Sequence, residues 1–314
     1  MLVTGGAGFI GSHLVDRLVQ MGMKVRVLDD FSSGRAENLC EVESEISVFE
    51  GSILDPGLLS RASEGCRGIF HLAAVVSVPR SIQEPVRVHE VNTTGTLNVL
   101  ETARRTGARV VLSSSAAVYG SATSSVQFEA DAAHPLSPYG IQKLLGEMYV
   151  RTYHELHGVP GFSLRYFNVY GSRQDPCSPY SGVISIFSRL AMLGAPITIF
   201  GDGRQTRDYV HVSDVVNANI LAMNARCADG AVLNVGTGRQ TDLNTIAGIL
   251  LKALESRSTI LYAEPRLGDI LNSCAATELS ARRINFYASV NIEAGLGLIE
   301  QPASHLTTNT RVGP

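Results

Sequence analysis

Short apolar stretches alternate with longer stretches of helical periodicity along the first half of the chain. Apolar, β-branched runs predict strands, and apolar residues that recur every three or four positions predict helices. The predicted strands are Leu2–Val3, Lys24–Leu28, Ile46–Glu50, Gly68–Leu72, Arg109–Ser113 and Gly161–Tyr166. The predicted helices are one that ends near Gly22, one that starts within Asp55–Ala62, a single long helix over Pro85–Arg105, and Pro138–Leu156. Repeated strand–helix units predict a parallel sheet that is covered by helices on both faces.

The second half of the chain has a different, less regular pattern. Val183–Leu193 and Asp242–Leu254 are predicted helices, the latter with Thr241 as its N-cap, and Ile197–Phe200 is a predicted strand. Two further apolar segments, Arg207–Val210 and Val232–Val235, are predicted to rejoin or flank the main sheet. From about Ala303 onward the sequence is polar and patternless, and we expect this tail to fray.

Three glycines lie between the first predicted strand and the first predicted helix. Gly5, Gly8 and Gly11 have the spacing Gly-x-x-Gly-x-x-Gly. Glycine permits a tight turn and close approach of the backbone to a pyrophosphate, which the N–H groups of the helix N-terminus can bind. Asp29 ends the second strand, near the distance at which a carboxylate meets the ribose hydroxyls. Because a carboxylate repels a 2′-phosphate, the pattern favours NAD over NADP.

Candidate ligand-binding residues follow several of the predicted strands. Besides the glycine turn and Asp29, these are Ala73, Ser115 and Asn168. Ligands of such sheets bind beyond the carboxyl ends of the strands, where these residues converge. We therefore predict an α/β fold, a Rossmann-type doubly wound parallel sheet with a smaller α/β substrate-binding domain. The predicted first domain is 1–166, with a returning segment at about 205–236, and the second is 167–204 with 237–314.

Tyr139 and Lys143 are four residues apart in the predicted helix Pro138–Leu156. This spacing places the phenol and the ammonium on one helix face, one turn apart. The lysine can hold a cofactor ribose, and its charge favours the phenolate of Tyr139. A tyrosine with a lowered pKa can exchange a proton with a sugar hydroxyl near neutral pH.

Composition excludes several other classes of protein. The chain has 314 residues, is 45% hydrophobic and carries a formal net charge of −3, so nothing indicates binding to nucleic acid or to an anionic membrane. It contains no apolar run that could span a bilayer and no secretory leader pattern. Its five cysteines are scattered without a Cys-x-x-Cys pair, which predicts reduced thiols in a cytoplasmic protein and no metal site.

A series of motifs covers the chain up to about residue 300. They are TGGAGFIGSH (4–13), HLAA (71–74), NTTGTLNVLE (92–101), SSSAAVYG (113–120), PYGIQK (138–143), LRYFNVYG (164–171), RDYVHVSDV (207–215) and RLGDI (266–270). With these motifs in this order and spacing, the chain resembles the extended short-chain dehydrogenase/reductase superfamily, and within it the nucleotide-sugar 4-epimerases. The resemblance implies a tightly bound, catalytic NAD, a UDP-hexose substrate and a homodimer formed through the helices at 85–105 and 138–156.

The resemblance also implies roles for individual residues. Ser115 would bind the C4 oxygen of the sugar, Tyr139 would be the acid/base, and Lys143 would anchor the ribose. The implied cofactor-binding residues are Gly5, Gly8, Phe9, Ile10, Gly11, Asp29, Ser33, Gly34, Ser52, Ile53, Leu72, Ala73, Ala74, Asn92, Tyr139 and Lys143; the family usually has Asp at position 52. The implied substrate-binding residues are Ser115, Asn168, Val183, Phe200, Arg207, Arg266, Asp269 and Ser273. Two arginines suit a diphosphate, and Asp269 suits a ribose diol.

Two substitutions indicate which reaction of the superfamily the chain performs. Ala116 and Ala117 replace the Asp-Glu pair of the 4,6-dehydratases, and the glutamate of the uronate decarboxylases is also missing. This favours reversible oxidation at C4, that is, epimerisation. The resemblance places Ser273 beside the C2 substituent of the sugar, where a small side chain leaves room for an N-acetyl group, so we expect UDP-GlcNAc and UDP-GalNAc as substrates together with UDP-glucose and UDP-galactose. The alternatives are an enzyme restricted to UDP-glucose and UDP-galactose or acting on UDP-glucuronate, an NADPH-dependent 4-reductase, and a non-catalytic nucleotide-sugar-binding protein.

Overall fold

The computed structural model describes residues 1–120, 124–175, 182–265 and 271–299. The strands are β1 (Leu2–Thr4), β2 (Val25–Asp29), β3 (Ile46–Glu50), β4 (Gly68–His71), β5 (Arg109–Ser115), β6 (Gly161–Tyr166), β7 (Asn168–Tyr170), β8 (Ile197–Phe200), β9 (Thr206–Arg207), β10 (Tyr209–His211), β11 (Asp229–Val235), β12 (Thr241–Asp242), β13 (Ile260–Ala263) and β14 (Asn272–Ser273). The α-helices are α1 (Phe9–Gln20), α2 (Pro56–Ser63), α3 (Val78–Gln83), α4 (Pro85–His89), α5 (Gly95–Thr106), α6 (Pro138–His157), α7 (Val183–Met192), α8 (Val212–Asn224), α9 (Leu243–Ala253), α10 (Glu278–Ile284) and α11 (Ile292–Gly297).

Seven strands form the main sheet, in the order β11-β6-β5-β4-β1-β2-β3. All neighbouring pairs are parallel, which confirms the predicted Rossmann-type α/β fold. The order reverses between β1 and β4, so the crevice at the carboxyl ends of these strands is the expected ligand site. Strand β5 runs two residues further than predicted, to Ser115.

Each face of the main sheet is covered by its own hydrophobic core. Consecutive strand residues point to opposite faces: Phe70 packs with Leu14 of α1 and Val215 of α8 in one core, while Ile69 packs with residues of α2 and α5 in the other. Phe70 and Ile69 are both fully buried. Burial of one such side chain contributes about 1.5–3 kcal/mol, so the two cores hold the strand ends, and the site built on them, in fixed positions.

A third core lies outside the main sheet. It brings α7, α9 and β8 together through buried residues such as Phe187, Ile199 and Leu250. Of the two segments predicted to rejoin or flank the main sheet, only the one now seen as β11 is part of it. Strand β10 instead pairs with β7, and β9 pairs with β12 and β14. The division into domains at residues 166, 204 and 236 stays a prediction.

Two local features differ from the sequence prediction. The helix predicted over Pro85–Arg105 is interrupted, because Glu90–Thr94 adopts a π-helical turn between α4 and α5. The N-cap of α9 is Asp242 rather than Thr241, since the Asp242 carboxylate accepts a hydrogen bond from the backbone N–H of Thr245 (2.7 Å).

The described residues contain neither a helix suited to cross a membrane nor a cluster of metal ligands. No helix there has the length and apolar character needed to cross a bilayer. No group of three or more His, Cys, Asp or Glu side chains in these ranges is arranged to hold a metal ion.

Candidate active site

The glycine turn between β1 and α1 is tight in the structure. Gly5 has a φ of +70°, and a Cβ built on it would lie 2.7 Å from the backbone nitrogen of Ala73. A Cβ on Gly11 would collide with the carbonyl oxygen of Gly5. Gly8 is the N-cap of α1, and no side chain in the described ranges caps this helix end. The backbone N–H groups of the first turn are therefore available to a phosphate, as a dinucleotide site requires.

Asp29 lies at the carboxyl end of β2 and is held by the backbone. Its two carboxylate oxygens accept hydrogen bonds from the N–H groups of Ala7 (2.8 Å) and Phe31 (2.9 Å). Burial raises the pKa of Asp29, and these two hydrogen bonds oppose that change. A Cβ on Gly34 would lie 2.9 Å from the Asp29 carboxylate, so glycine keeps this surface open. Each oxygen retains a lone pair that can accept from a ribose hydroxyl.

One open cavity, with a volume of about 400 Å³, extends from the glycine turn to Tyr139. It lies at the carboxyl ends of the parallel strands, where the sequence predicts the site. The predicted residues that line it are Gly5, Gly8, Phe9, Ile10, Gly11, Asp29, Ser33, Gly34, Ser52, Ile53, Leu72, Ala73, Ala74, Ser115 and Tyr139. A glycine-lined helix terminus next to a carboxylate with free acceptor lone pairs fits the two halves of a dinucleotide such as NAD.

Tyr139 and Ser115 meet at the far end of this cavity. Both side chains line it, and Tyr139 is only 8% exposed. Burial raises the pKa of Tyr139 to about 12, and its interaction with the Ser115 hydroxyl opposes the rise. The Tyr-Lys spacing predicts a lowered pKa for Tyr139 instead. The prediction and the structure differ because spacing along a helix carries no information about burial.

Lys143 lies behind the cavity wall rather than in it. Its Nζ donates to the carbonyl oxygen of Ser113 (2.8 Å) and lies 5.9 Å from the centroid of the Tyr139 ring. Burial lowers the pKa of Lys143 to about 8, and the charge of Glu147 opposes this change. The side chain is thus a buried ammonium that loses its proton within the pH range in which enzymes work.

Asn92, which the resemblance places at the cofactor, does not line the cavity. Its amide clamps the backbone of Val75, which does: the Val75 N–H donates to the amide oxygen (2.8 Å), and the amide nitrogen donates to the Val75 carbonyl (3.1 Å) and to Gln142 (3.1 Å). Asn92 therefore shapes the cavity wall through Val75.

Apart from Ser115, which lines the cavity, the predicted substrate-binding residues lie on the second half of the chain. Asn168 begins β7, Val183 begins α7, Phe200 ends β8, and none of the three lines the described cavity. Arg207 and Ser273 are opposite each other on β9 and β14. Arg266 and Asp269 lie outside the residues that the structure describes.

Several residues of the cavity were not predicted from the sequence. They are Leu28, Asp30, Ser32, Gly51, Val75, Val76, Arg80, Arg87, Val91, Ser113, Ser114, Tyr166, Phe167, Val169 and Gln174. Arg80 and Arg87 place two cations on its rim, and both approach the carboxylate of Glu84 (3.4 and 3.9 Å). Most of these residues adjoin a predicted strand end, which was the available sequence clue. For the two arginines we find no such clue, because they lie on short helices without a motif.

Comparison with known proteins agrees with this geometry. The model of the NAD dependent epimerase/dehydratase family matches residues 1–236. The UDP-glucose 4-epimerase of Mycolicibacterium smegmatis is 41% identical over 277 residues, which cover 87% of this chain and 88% of that protein. The solved UDP-N-acetylglucosamine 4-epimerase of Methanobrevibacter ruminantium, in complex with UDP-N-acetylmuramic acid, has a TM-score of 0.91 at 36% identity and covers 95% of both chains.

A second solved structure carries the cofactor itself. The UDP-glucose 4-epimerase of Thermus thermophilus, in complex with NAD, has a TM-score of 0.85 at 35% identity and covers 95% of this chain and 96% of that one. The fold of this chain agrees with those of both solved relatives. The chain belongs to the NAD dependent epimerase/dehydratase family.

Proposed function

We propose that the protein interconverts the C4 epimers of a UDP-hexose through a transient 4-keto sugar. The observation that carries this proposal is the meeting of Tyr139 and Ser115 in the same cavity as the glycine turn. A group that exchanges protons with a hydroxyl thus lies in the same cleft as the dinucleotide site. The 4-epimerase relatives support the choice of reaction.

In this mechanism Tyr139 takes the proton of the C4 hydroxyl and returns it after the keto sugar has turned over in the pocket. The glycine turn and Asp29 would hold NAD, which would supply reversible hydride chemistry at C4 with no net redox change. Ser115 holds the C4 oxygen beside the phenol. Because burial disfavours the Tyr139 phenolate, a nearby positive charge must stabilise it, and Lys143 supplies one from the same helix face.

The residues that follow Ser115 support epimerisation over dehydration. The Ser115 hydroxyl accepts a hydrogen bond from the Ala117 N–H (3.1 Å), and Ala116–Val118 forms a single 3₁₀ turn. Methyl groups therefore occupy the positions of the dehydratase acid and base, and a methyl group cannot transfer a proton. Elimination of water from the 4-keto sugar lacks its catalysts here.

For the substrate we propose UDP-GlcNAc and UDP-GalNAc together with UDP-glucose and UDP-galactose. Arg207 would bind the diphosphate, and the neighbouring Ser273, whose hydroxyl lies 3.4 Å from the amide oxygen of Gln127, would leave room for an N-acetyl group. A preference of tenfold or more for UDP-galactose over UDP-GalNAc, on the order of 1.4 kcal/mol, would contradict the role of Ser273 and favour the narrower specificity.

We also propose that the protein is a homodimer. Helices α3, α4 and α6 expose the apolar side chains Ile82, Val86, Ile141 and Met148. Adjacent apolar patches of this kind mark association surfaces. Light scattering that gives the mass of a single chain would contradict this.

The experiment that tests the function is Tyr139→Phe, with Tyr153→Phe as its matched control. Both tyrosines lie on α6, but the Tyr153 hydroxyl donates to Glu101 (2.7 Å) away from the cavity. Acid–base assistance is worth about 10²–10⁴-fold, so kcat of Tyr139→Phe should fall by about that factor while the control keeps its activity. Near-normal turnover by Tyr139→Phe would refute the proposed mechanism.

A further inference from the structure

A buried ion pair lies one helical turn beyond Lys143. Glu147 of α6 and Arg165 of β6 form two parallel bonds, Nη2 to Oε2 (2.8 Å) and Nε to Oε1 (2.9 Å). Their side chains are only 3% and 5% exposed. The hydroxyl of Ser114 donates to the same carboxylate, and the guanidinium lies over the ring of Tyr119 (4.6 Å). Removing two charges from water is unfavourable by several kcal/mol per ion. Stabilisation of the fold is therefore a weak explanation for this buried ion pair.

The ion pair is tied to the same strand end as the proposed catalytic groups. Tyr139, Lys143 and Glu147 follow one another at intervals of four residues and therefore share one face of α6. The last three residues of β5 lie next to them: Lys143 donates to Ser113, Glu147 accepts from Ser114, and Ser115 lines the same cavity as Tyr139. A change at Glu147 thus acts next to the reacting groups without facing the cavity.

Charged groups on the other elements around α6 leave Lys143 with one effective counter-charge. From β4, His71 is buried and neutral: burial, and then the charge of Lys143, lowers its pKa to about 3. From β6, Arg165 is bound to Glu147. On α5, the carboxylate of Glu101 is bound to Arg104 at the surface.

The remaining neighbours of α6 carry titratable groups that are paired or exposed. Asp229 of β11 is bound to Arg283, and His89 and Glu90 at the start of the π-helical turn are exposed. On α3 and α4, Arg80 and Arg87 share Glu84 on the rim. Strand β5 offers Lys143 a carbonyl oxygen and a hydroxyl. Within the described ranges, Glu147 is the carboxylate whose charge acts on Lys143.

We propose that Glu147 is a positioning residue that keeps Lys143 protonated at working pH, with Arg165 and Ser114 holding its carboxylate in place. The inference rests on the proposed function, in which the Lys143 ammonium stabilises the Tyr139 phenolate. A buried amine without a counter-charge loses its proton near neutrality. A neutral Lys143 gives no charge to the phenolate, and its nitrogen donates one hydrogen bond fewer.

The composition of the chain allows a direct test. It has three lysines, Lys24, Lys143 and Lys252, and only Lys143 is buried. In protein labelled with ¹³C-lysine and supplied with NAD, each Cε signal can be titrated by NMR, and the signal absent from Lys143→Met is that of Lys143. The two exposed lysines should titrate near the usual value of about 10.4. Lys143 should titrate below both of them in the unchanged protein, because burial lowers its pKa.

Two variants at the same position separate charge from shape. Glu147→Gln keeps the shape and loses the charge, and it should lower the pKa of Lys143 by about one unit or more. Glu147→Asp keeps the charge and breaks the two-bond geometry, and it should leave that pKa within about half a unit of the original. A structural role alone predicts that both variants act alike. Equal shifts, or an unchanged pKa in Glu147→Gln, would overturn the proposal.

Glu147→Gln leaves Arg165 buried without a partner and so can fail to fold. In that case Glu147→Gln with Arg165→Met removes both charges, which buried pairs often tolerate, and the pKa of Lys143 should again fall. An unchanged pKa in this double variant would equally overturn the proposal.

The pH profile of kcat connects the titration to the reaction. Its alkaline limb should move to lower pH in Glu147→Gln by the same amount as the NMR titration, and should stay in place in Glu147→Asp. Full activity of Lys143→Met would refute the proposed role of Lys143, and hence that part of the function. An inactive Lys143→Met together with an unshifted Glu147→Gln would refute the role of Glu147 alone.

Discussion

The close contact between Gly5 and Ala73 makes a quantitative prediction for Gly5→Ala. The φ of +70° disfavours any side chain by about 1–2 kcal/mol. The new Cβ would also lie 2.7 Å from the nitrogen and 2.8 Å from the Cα of Ala73, so the ends of β1 and β4 must separate. Overpacking of this kind adds about 1–3 kcal/mol. We expect the free energy of unfolding to fall by about 2–5 kcal/mol in total.

Gly22→Ala is the matched control, because it has the same backbone conformation without the contact. Its φ is +72°, and a Cβ there meets no atom within 4 Å. Urea unfolding should therefore show only the conformational loss, about 1–2 kcal/mol. In calorimetry with NAD, Gly5→Ala should bind at least about tenfold more weakly, which is about 1.4 kcal/mol, and the control should bind normally. Equal losses of stability in the two variants, with unchanged NAD affinity, would refute this account of the turn.

Three further predictions concern the site. Ser115→Ala should lower kcat by about 10²-fold, as loss of a hydrogen-bonding group at the reacting oxygen does, and steady-state kinetics would detect it. Asp29→Asn removes the charge that repels a 2′-phosphate, so its NADP affinity relative to NAD should rise in calorimetry. Burial holds the pKa of His71 at about 3, below the unfolded value of 6.5, so the unfolded chain binds more protons between these values. The free energy of unfolding should then fall by up to about 1.4 kcal/mol per pH unit below pH 6.5, and less steeply in His71→Gln than in the exposed-site control His89→Gln.

Sequence reasoning succeeded where local pattern determines the outcome. The glycine turn, Asp29, Ala73 and Ser115 each follow a strand, and parallel strands bring their carboxyl ends together whatever the details of packing. Their common cavity was therefore predictable. Tyr139 is in the cavity for a similar reason, because it begins the helix that follows β5.

What could not be predicted depends on burial and on contacts between distant residues. The apolar period of 85–105 continues through Glu90–Thr94, but Asn92 in that segment bonds to Val75 and Gln142 across the fold, and the helix widens there. Likewise, the Tyr-Lys spacing says nothing of the desolvation that raises the pKa of Tyr139. Thr and Asp are both favourable N-cap residues, so the sequence does not decide between Thr241 and Asp242. The structure shows that Asp242 caps α9.

The central claim is C4 epimerisation of a UDP-hexose, and one measurement tests it most directly. Purified protein is incubated separately with UDP-GalNAc and UDP-galactose, with and without added NAD, and proton NMR follows the sugar signals. We predict that signals of the C4 epimer appear from both sugars and grow to equilibrium, and that Tyr139→Phe slows this by about 10²–10⁴-fold. Unchanged spectra for both sugars, even with NAD present, would contradict the account.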